Sequence, residues 1–372
     1  MSSKCNVAII GAGASGCICA YHLLKSNFKV TLFDKNLPLR TLLPTGGGRC
    51  NLAHSEYDFK ELAKNYPRGE KFLYSVFSKF STADTLKMFE DIGIKTYTQD
   101  DGRIFPISDS SKDVQEKILK ELRQLGVKFV QKEIFDLESI RSEFDYTVVA
   151  TGGHSGYQYL KQYNINIINP RPSLVGLNTK EDFKKLSGTV VKNIVIDGLC
   201  GDLLFTHFGV SAPLIYKISS IKAFDNFPYS LTVDFCPNLN NFQNILNQNS
   251  KKEIKNILSE YLPQKVVKYL LSDINETMPA YKIDGKMRDY ILDKIHTFKV
   301  TVVGTNKGEE TVTAGGVDLK EINPKTMELK RLPNVFCIGE ILNIDGFCGG
   351  FNLQNAWSTA FVCAESIIER VK

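Results

Sequence analysis

Three glycines near the start of the sequence have the spacing of a phosphate-binding turn. Gly11, Gly13 and Gly16 match Gly-x-Gly-x-x-Gly, and they lie between a short apolar run and a run of small and apolar residues suited to a helix. Such glycines let a pyrophosphate approach the amino terminus of the helix. Asp34 stands at the end of the next strand pattern, where a carboxylate accepts ribose hydroxyls. We therefore predict dinucleotide binding, because a glycine turn in any α/β protein would not explain Asp34.

A second glycine cluster occupies residues Thr45–Asn51, with three consecutive glycines followed by Arg49. Backbone amides in such a run can face an anion, and a guanidinium adds a fixed positive charge. A flexible surface loop is the alternative. Toward the carboxyl terminus, Gly346–Gly350 encloses Cys348 and precedes Phe351 and a helix pattern, so a further backbone nest opens onto a helix amino terminus.

Histidine and cysteine offer further candidate chemistry. His207 lies in Thr206–Ser211, a turn after a strand, where an imidazole suits an acid, a base or a substrate ligand. A structural histidine explains the pattern equally well. Cys50 and Cys348 lack Cys-x-x-Cys spacing, and we do not expect disulfide catalysis. The nine cysteines show no zinc-knuckle pattern and are typical of reduced thiols in a cytoplasmic protein.

The elements that must position these residues begin with a βαβ unit. Strand patterns over Asn6–Ile10 and Lys29–Phe33 flank a helix pattern over Ala14–Leu24, which predicts the start of a doubly wound parallel sheet. Asp58–Leu125 is predicted to be mainly helical. Helices are expected at 111–125, ending at Gly126, and at 352–371. Strands are expected at 127–131, 144–150 and 332–339.

The character of the sequence changes in the middle of the chain. Between about Ile165 and Thr313, short β-type runs such as Leu203–Thr206 surround a Lys-rich helical block at Lys251–Ser272, which indicates an inserted β domain with a helical lobe. Other β-type runs are Leu231–Phe235 and Phe298–Val303. Asn238–Ser250 is a loop or linker candidate by composition.

Length and charge favour a soluble enzyme of more than one compact unit. The 372 residues exceed what one core usually spans, and the net charge of +5 is spread along the chain without basic blocks. The charge-free stretch Asn6–Leu24 after Lys4 could suggest a signal peptide or membrane anchor, but the glycine turn interrupts it. We expect neither a membrane partner nor a nucleic-acid partner.

Taken together, these motifs resemble the BaiN-like (YhiN-like) family of FAD-dependent oxidoreductases, also known as the aminoacetone oxidase family. The resemblance runs along nearly the whole chain. It is carried by eight segments in order, namely 11–16, 46–51, 102–106, 150–153, 204–211, 313–317, 321–327 and 339–354.

The resemblance implies a Rossmann-type, glutathione-reductase-like FAD domain of class α/β, built from residues 1–160 and 313–372. Residues 161–312 would form an inserted β-barrel-like domain with a helical subdomain at about 238–297. Backbone atoms near Phe135 would touch adenine. The FAD contacts that it implies are Gly11, Gly13, Ala14, Ser15, Gly16, Asp34, Lys35, Gly47, Gly48, Arg49, Cys50, Phe135, Ala150, Thr151, Gly152, Gly339, Glu340, Asp345, Gly350, Phe351, Asn352 and Leu353.

Three departures from the family pattern stand out. Asn343 occupies a position where an acidic residue usually follows Glu340 by three, so a charge is lost. The stretch after Gly153 is short and reaches Tyr157 directly. Ala212 replaces the usual glycine after the Thr206–Ser211 segment, which could narrow the substrate cavity.

The function that follows is hydride transfer between FAD and a small-molecule substrate. The sequence lacks a second dinucleotide fingerprint, so reduction by NAD(P)H is either transient in the substrate cavity or absent. Arg49, Asn51 and His207 are the candidate catalytic residues, Arg49 stabilising negative charge and His207 carrying a proton. Two alternatives are a flavoprotein that modifies nucleic acid, as tRNA-modifying relatives of the fold do, and a flavin redox sensor without turnover.

Overall fold

The computed structural model describes residues 5–306 and 312–372, which divide into two compact units. The first unit comprises residues 5–171 and 312–372, and the second comprises residues 172–306. The sequence places the first boundary after residue 160, whereas the chain leaves the first unit after Arg171. Residues 1–4, with Lys4, and residues 307–311 belong to the predicted domains but lie outside the described residues.

The amino-terminal part of the first unit contains most of its elements. In chain order these are β1 (Asn6–Ile10), α1 (Ala14–Lys25), β2 (Lys29–Asp34), β3 (Ala53–His54), α2 (Phe59–Ala63), α3 (Glu70–Phe77), α4 (Thr82–Asp91), β4 (Thr96–Thr98), β5 (Arg103–Pro106), α5 (Ser111–Gln124), β6 (Lys128–Gln131), α6 (Leu137–Arg141), β7 (Tyr146–Val149), α7 (Tyr157–Lys161) and β8 (Ile167–Ser173), which crosses the boundary.

The second unit follows, and the chain then returns to the first. The second unit contains β9 (Leu177–Thr179), β10 (Val190–Ile196), β11 (Leu199–Phe205), β12 (Gly209–Ser211), α8 (Pro213–Ile221), β13 (Tyr229–Asp234), α9 (Phe242–Gln248), α10 (Ile254–Leu258), α11 (Gln264–Leu270), α12 (Gly285–His296) and β14 (Phe298–Thr305). The returning part contains β15 (Val312–Val317), β16 (Val335–Cys337) and α13 (Phe351–Glu369).

A parallel five-stranded sheet forms the centre of the first unit, with strand order β16-β7-β1-β2-β6. Its central strand, β1, pairs in parallel with β2 and with β7, and Val7, Ala8 and Ile9 are fully buried. Strands buried on both faces are continuous apolar runs, which explains the pattern of β1. The predicted doubly wound α/β fold is confirmed. The fifth strand comes from the far end of the sequence.

The segment Asp58–Leu125 is mainly helical as predicted, but it also contributes β4 and β5 to a small antiparallel sheet, β3-β5-β4. Ala53 pairs with Ile104, and Tyr97 pairs with Phe105. Strands of two to four residues are too short to show a two-residue period against the surrounding helix patterns. The same sheet carries Arg103 and Phe105, to which the sequence assigns no role.

The strands of the second unit close into a six-stranded barrel, in the order β10-β11-β12-β9-β14-β13. The predicted barrel-like insertion is thus confirmed as a barrel. Ala212, immediately before α8, has φ 114°, a conformation that favours glycine, so the alanine here is strained.

Helices α9 to α12 follow α8 in this unit and lie within the predicted helical subdomain at about 238–297. Asn238–Ser250, predicted as a loop or linker, contains α9, because Phe242 and Leu246 bury one face of an otherwise polar segment. The predicted helical block Lys251–Ser272 is divided into α10 and α11 around Pro263. Among the residues described in both units, no helix is long and apolar enough to cross a lipid bilayer.

Candidate cofactor-binding site

The glycines of the first motif have two different structural roles. A side chain on Gly11, whose φ is 108°, would place its Cβ 2.2 Å from the carbonyl oxygen of Ala150. On Gly16 it would lie 2.0 Å from the Gly11 carbonyl oxygen. Gly13 differs, because the nearest atom to its added Cβ is Thr41 Oγ1 at 3.9 Å. Gly11 and Gly16 are therefore required for packing, whereas Gly13 leaves free space in front of helix α1.

Three loops meet at the carboxyl edge of the central sheet. The Gly11 amide donates to the Phe33 carbonyl at 2.8 Å, the Ala150 amide to the Ile10 carbonyl at 2.8 Å, and the Ile338 amide to the Val149 carbonyl at 3.1 Å. These bonds bring the ends of β1, β7 and β16 side by side. Predicted contacts in these loops and at the start of α1 are Ala14, Ser15, Thr151, Gly152 and Gly339, of which Ser15 and Gly339 are buried.

Two helices of the first unit begin without side-chain caps. Gly13 precedes α1 and Gly350 precedes α13, and neither helix has an acidic residue in its first turn. The free N–H groups of a helix amino terminus and its dipole both attract an anion. Gly350 has φ 93°, and a Cβ there would lie 2.4 Å from the Ala53 carbonyl oxygen, so only glycine fits this close approach.

Asp34 sits at the end of β2, as its predicted role requires. Its Oδ2 accepts from the Ala12 amide at 2.8 Å, and its Oδ1 accepts from the Asn36 amide at 2.8 Å. Each carboxylate oxygen has a second lone pair, so the side chain can also accept a ribose hydroxyl. The bond to Ala12 fixes the carboxylate against the glycine turn.

The loops after β2 and β6 run together beyond Asp34. Lys35 forms an ion pair with Glu133 at 2.8 Å, and the Lys132 amide donates to the Asp34 carbonyl at 2.8 Å. Phe135 follows in the second loop with 75% of its surface exposed. An exposed phenyl ring at this place suits an apolar contact with a purine, although the sequence assigns the adenine contact to backbone atoms.

The Gly46–Asn51 segment presents open backbone and a cation. Gly47 and Gly48 have φ 68° and 85°, both are exposed, and a Cβ at either position would meet no atom within 4 Å. The Arg49 guanidinium lies over the Phe105 ring, 4.2 Å from its centroid. Arg49 forms no ion pair with any residue that the structure describes. Its positive charge is therefore held in place by stacking and is available to an anion.

The two residues after Arg49 point into the protein. Cys50 is fully buried, and burial raises the pKa of its thiol to about 12, so it remains protonated at neutral pH. Any cofactor contact must come from its backbone. In the orientation that satisfies its neighbours, the Asn51 amide donates to the carbonyls of Ala53 and Ile104 and accepts from the Gly350 amide at 3.0 Å. Asn51 thus ties the small sheet to the start of α13.

The loop before α13 is held by polar contacts that the sequence does not reveal. Asn352 exchanges two hydrogen bonds of 2.8 Å with the backbone of Gly346. The Tyr66 hydroxyl donates to the Phe351 carbonyl at 2.6 Å. His54 stacks on the Phe351 ring at 4.8 Å, and its buried Nδ1 has no hydrogen-bond partner among the described residues. Leu353 is half-buried, and Cys348 is exposed in the loop.

Glu340 is a carboxylate that lies against the loop after β7. Its Oε1 accepts from the Thr313 amide at 2.9 Å, and burial raises the pKa of its carboxyl. A Cβ added to Gly152 would have one atom within 4 Å, which is Glu340 Oε2 at 3.8 Å. Asn343 donates its backbone amide to Val317, while its buried side-chain oxygen lacks a partner among the described residues.

Asp345 is engaged elsewhere. Its side chain is fully buried, and both carboxylate oxygens pair with the Arg68 guanidinium, which is 14% exposed. Arg68 is 277 positions away in sequence, so no local pattern indicates the pair. The structure assigns Asp345 to holding two loops together, and its predicted contact with the cofactor stays a prediction.

The residues of the first unit fit FAD. The uncapped amino terminus of α1, with free space before it at Gly13, suits the pyrophosphate, and that of α13 suits an electron-rich flavin edge. Asp34 retains acceptor capacity, and Glu340 offers a partly buried carboxylate for a ribityl hydroxyl. His207 belongs to the second unit. It is exposed in the turn between β11 and β12, where the Thr206 amide donates to the Gly209 carbonyl.

Comparison with known proteins agrees with this fit. Residues 5–366 match the family described as HI0933-like protein Rossmann domain. A ribosomal RNA dihydrouridine synthase of Haemophilus influenzae is 31% identical, covering 99% of this chain and 99% of that protein. One of Escherichia coli is 28% identical, covering 97% of each. A 3-dehydro-bile acid delta(4,6)-reductase of Clostridium scindens is 27% identical, covering 98% and 99%. The chain belongs to the HI0933-like protein Rossmann domain family, and the FAD-dependent oxidoreductase family that its motifs predict is thereby confirmed.

Proposed function

We propose that the protein reduces a carbon–carbon double bond conjugated to a carbonyl group, and that its substrate is a uridine of ribosomal RNA. The support is the 31% identity over 99% of both chains with a ribosomal RNA dihydrouridine synthase. This proposal changes the preference drawn from the sequence, which favours a small molecule and does not expect nucleic acid. In the sequence, the weak positive net charge is the only feature that favours RNA.

The names of the relatives describe one reaction type. Dihydrouridine is uridine with the 5,6 double bond saturated, and that bond is conjugated to the C4 carbonyl. A 3-dehydro-bile acid with a Δ4 bond likewise carries an alkene next to a ketone. In both, the carbon β to the carbonyl accepts a hydride, the α carbon accepts a proton, and negative charge develops on the carbonyl oxygen.

The residues of the chain have distinct proposed roles in this reaction. When bound and reduced, FAD supplies the hydride. The Arg49 guanidinium, which has no carboxylate partner among the described residues, stabilises the developing oxyanion. The imidazole of His207 holds the proton for the α carbon on a ring nitrogen. Asn51 acts as a positioning residue, because its amide is engaged by three backbone groups.

We further propose that NADH or NADPH reduces the flavin by transient binding. Each turnover consumes two electrons and one additional proton, so an external hydride donor is required. The only Gly-x-Gly-x-x-Gly turn placed between a strand and a helix in the described residues is Gly11–Gly16, which suits FAD. The nicotinamide donor therefore has no second dinucleotide-binding unit of this type.

The experiment is an anaerobic reduction and reoxidation. FAD-loaded protein is reduced with NADPH or NADH and mixed with ribosomal RNA transcribed in vitro. Recovery of the visible flavin band, together with nucleosides heavier than uridine by two hydrogens, is the expected result. A reduced flavin that rRNA does not reoxidise would refute the substrate.

A small unsaturated ketone is the second candidate substrate, supported by the 27% identity with the bile acid reductase. A 3-oxo-Δ4 steroid in the same reoxidation assay separates the two. Reoxidation by the steroid without reoxidation by rRNA would retain the reaction type and replace the substrate. Failure of both, despite bound and reducible FAD, would favour a redox sensor.

A further inference from the structure

We propose that an exposed lysine cluster on the second unit binds the phosphate backbone of the RNA substrate. The inference rests on the proposed function, and it names the surface that would recognise that substrate. We call this cluster the basic face, and it consists of Lys180, Lys184, Lys185, Lys265, Lys268 and Lys299.

These lysines have no carboxylate partner among the described residues, unlike some other lysines of the same unit. All six are exposed, and none forms an ion pair with a residue described by the structure. By contrast, Lys222 pairs with Asp225, and Lys294 pairs with Asp273. Lys299 does donate a hydrogen bond of 2.6 Å to the Thr232 hydroxyl, which leaves its charge uncompensated. Unpaired ammonium groups are the ones available to external phosphates.

Ring contacts bring the cluster together from separate segments. The Phe183 and Tyr269 rings are 5.7 Å apart, and these residues directly adjoin Lys184 and Lys268. Lys265 and Lys268 lie one turn apart on the exposed side of α11.

The strand side of the cluster is joined in the same way. Tyr269 also contacts Phe298 at 6.2 Å, next to Lys299, and the Lys180 amide donates to the Thr301 carbonyl at 2.8 Å. The basic face thus draws on the ends of β9 and β14, the turn at 184–186 and helix α11.

Two acidic residues lie within the same region, and both carboxylates bind backbone amides. Glu181 Oε2 accepts from the Thr301 amide at 2.9 Å, and Asp182 Oδ1 accepts from the Lys184 amide at 2.9 Å. Six positive and two negative charges leave a net charge of four positive. A single small anion cannot engage lysines from four segments, whereas a polyanion can release counterions at each of them.

The test compares two variants that lose the same charge. The first replaces four lysines of the basic face with glutamine, as Lys184→Gln, Lys185→Gln, Lys265→Gln and Lys268→Gln. The control replaces four exposed, unpaired lysines of the first unit, as Lys71→Gln, Lys128→Gln, Lys161→Gln and Lys325→Gln. All eight positions are exposed, so both variants should fold and load FAD.

Two measurements are made on each FAD-loaded protein. Binding of transcribed rRNA fragments is followed against salt concentration, and reoxidation of the reduced flavin is followed against RNA concentration. For the first variant we expect Kd to rise at least tenfold relative to the control. The slope of log affinity against log salt should fall by about 3, since each phosphate contact contributes roughly 0.7 for single strands. The saturating rate should not change.

The outcomes distinguish this inference from the proposed function. If rRNA reoxidises the wild-type flavin but the first variant binds RNA like the control, the proposed RNA-binding role of the basic face is wrong. The proposed function is then retained. If the first variant loses saturating rate without a change in Kd, the basic face is also wrong. If wild-type protein neither binds nor reduces rRNA, the proposed substrate fails and the basic face with it.

Discussion

The guanidinium of Arg49 stacks on Phe105, a ring that is completely buried beneath it. Arg103, on the same strand as Phe105, also approaches the ring, at 5.6 Å, but forms an ion pair with Asp101. Both arginines therefore contact the same ring, but only Arg103 has a carboxylate partner among the described residues. The unpaired one adjoins the open Gly47–Gly48 backbone.

Replacing Arg49 should reduce turnover more than stability. For Arg49→Met we expect the reoxidation rate to fall about 10- to 100-fold, because a cation facing the developing oxyanion is lost. Arg103→Met is the matched control and should change the rate less than threefold. Stopped-flow reoxidation with equal FAD content measures both. Equal effects of the two substitutions would exclude a special role for Arg49.

Gly13 and Gly16 should respond differently to alanine. Gly13→Ala should change apo-protein stability by no more than about 0.5 kcal/mol, because its Cβ meets open space, yet weaken FAD binding at least tenfold. Gly16→Ala should unfold or strongly destabilise the first unit through its contact with the Gly11 carbonyl. Thermal melts and FAD titration separate the effects. Unaltered FAD affinity in Gly13→Ala would contradict the assigned pyrophosphate position.

Removing one partner of the Arg68–Asp345 pair should lower the free energy of unfolding strongly, whereas replacing both residues with apolar ones should lower it little. Asp345→Asn leaves a largely buried guanidinium without its carboxylate, which should cost about 3–5 kcal/mol. The double variant Arg68→Met with Asp345→Leu should recover most of that loss. The single tryptophan, Trp357, is buried in α13 and reports urea unfolding of the first unit. A double variant no more stable than Asp345→Asn would argue against the pair as the cause.

Stability should decrease in mild acid because of His22. Burial, with a smaller contribution from Lys25, lowers the pKa of His22 from 6.5 to about 4. The unfolded chain therefore takes up the proton first as the pH falls. The free energy of unfolding is therefore highest, with respect to His22, above about pH 6.5 and falls progressively toward pH 4. The loss amounts to about 2 kcal/mol by pH 5. His22→Leu should flatten the wild-type pH profile, whereas His207→Gln, at an exposed imidazole, should leave its slope in place.

The same His207→Gln variant tests proton transfer. We expect a 10²- to 10³-fold lower saturating reoxidation rate with unchanged FAD content, as is typical for removal of a general acid. Partial recovery with added imidazole would support the role. Turnover equal to the wild type would remove His207 from the mechanism.

The sequence predicts best where contacts are local. Gly11, Gly16 and Asp34 lie within one βαβ unit, so their spacing alone indicates the turn and the ribose acceptor. The Asn-rich helix α9 escapes prediction because only two apolar residues, Phe242 and Leu246, mark its buried face.

Long-range partners escape prediction for a different reason. No spacing connects Arg68 to Asp345, or Arg49 to the ring of Phe105, since each pair exists only in the tertiary structure. The unpartnered lysines of the basic face are also invisible in sequence, because which lysines lack a carboxylate depends on the tertiary structure.

Strand β15 brings the chain back from the second unit, pairs with β8, and supplies the Thr313 amide that binds Glu340. β16 and α13, which complete the sheet and its second helix amino terminus, come later still. During synthesis on the ribosome, the sheet of the first unit therefore lacks its edge strand β16 until the whole insertion has been translated. We expect cofactor loading to require α13, so that a chain truncated before α13 would carry the complete glycine fingerprint and still remain colourless.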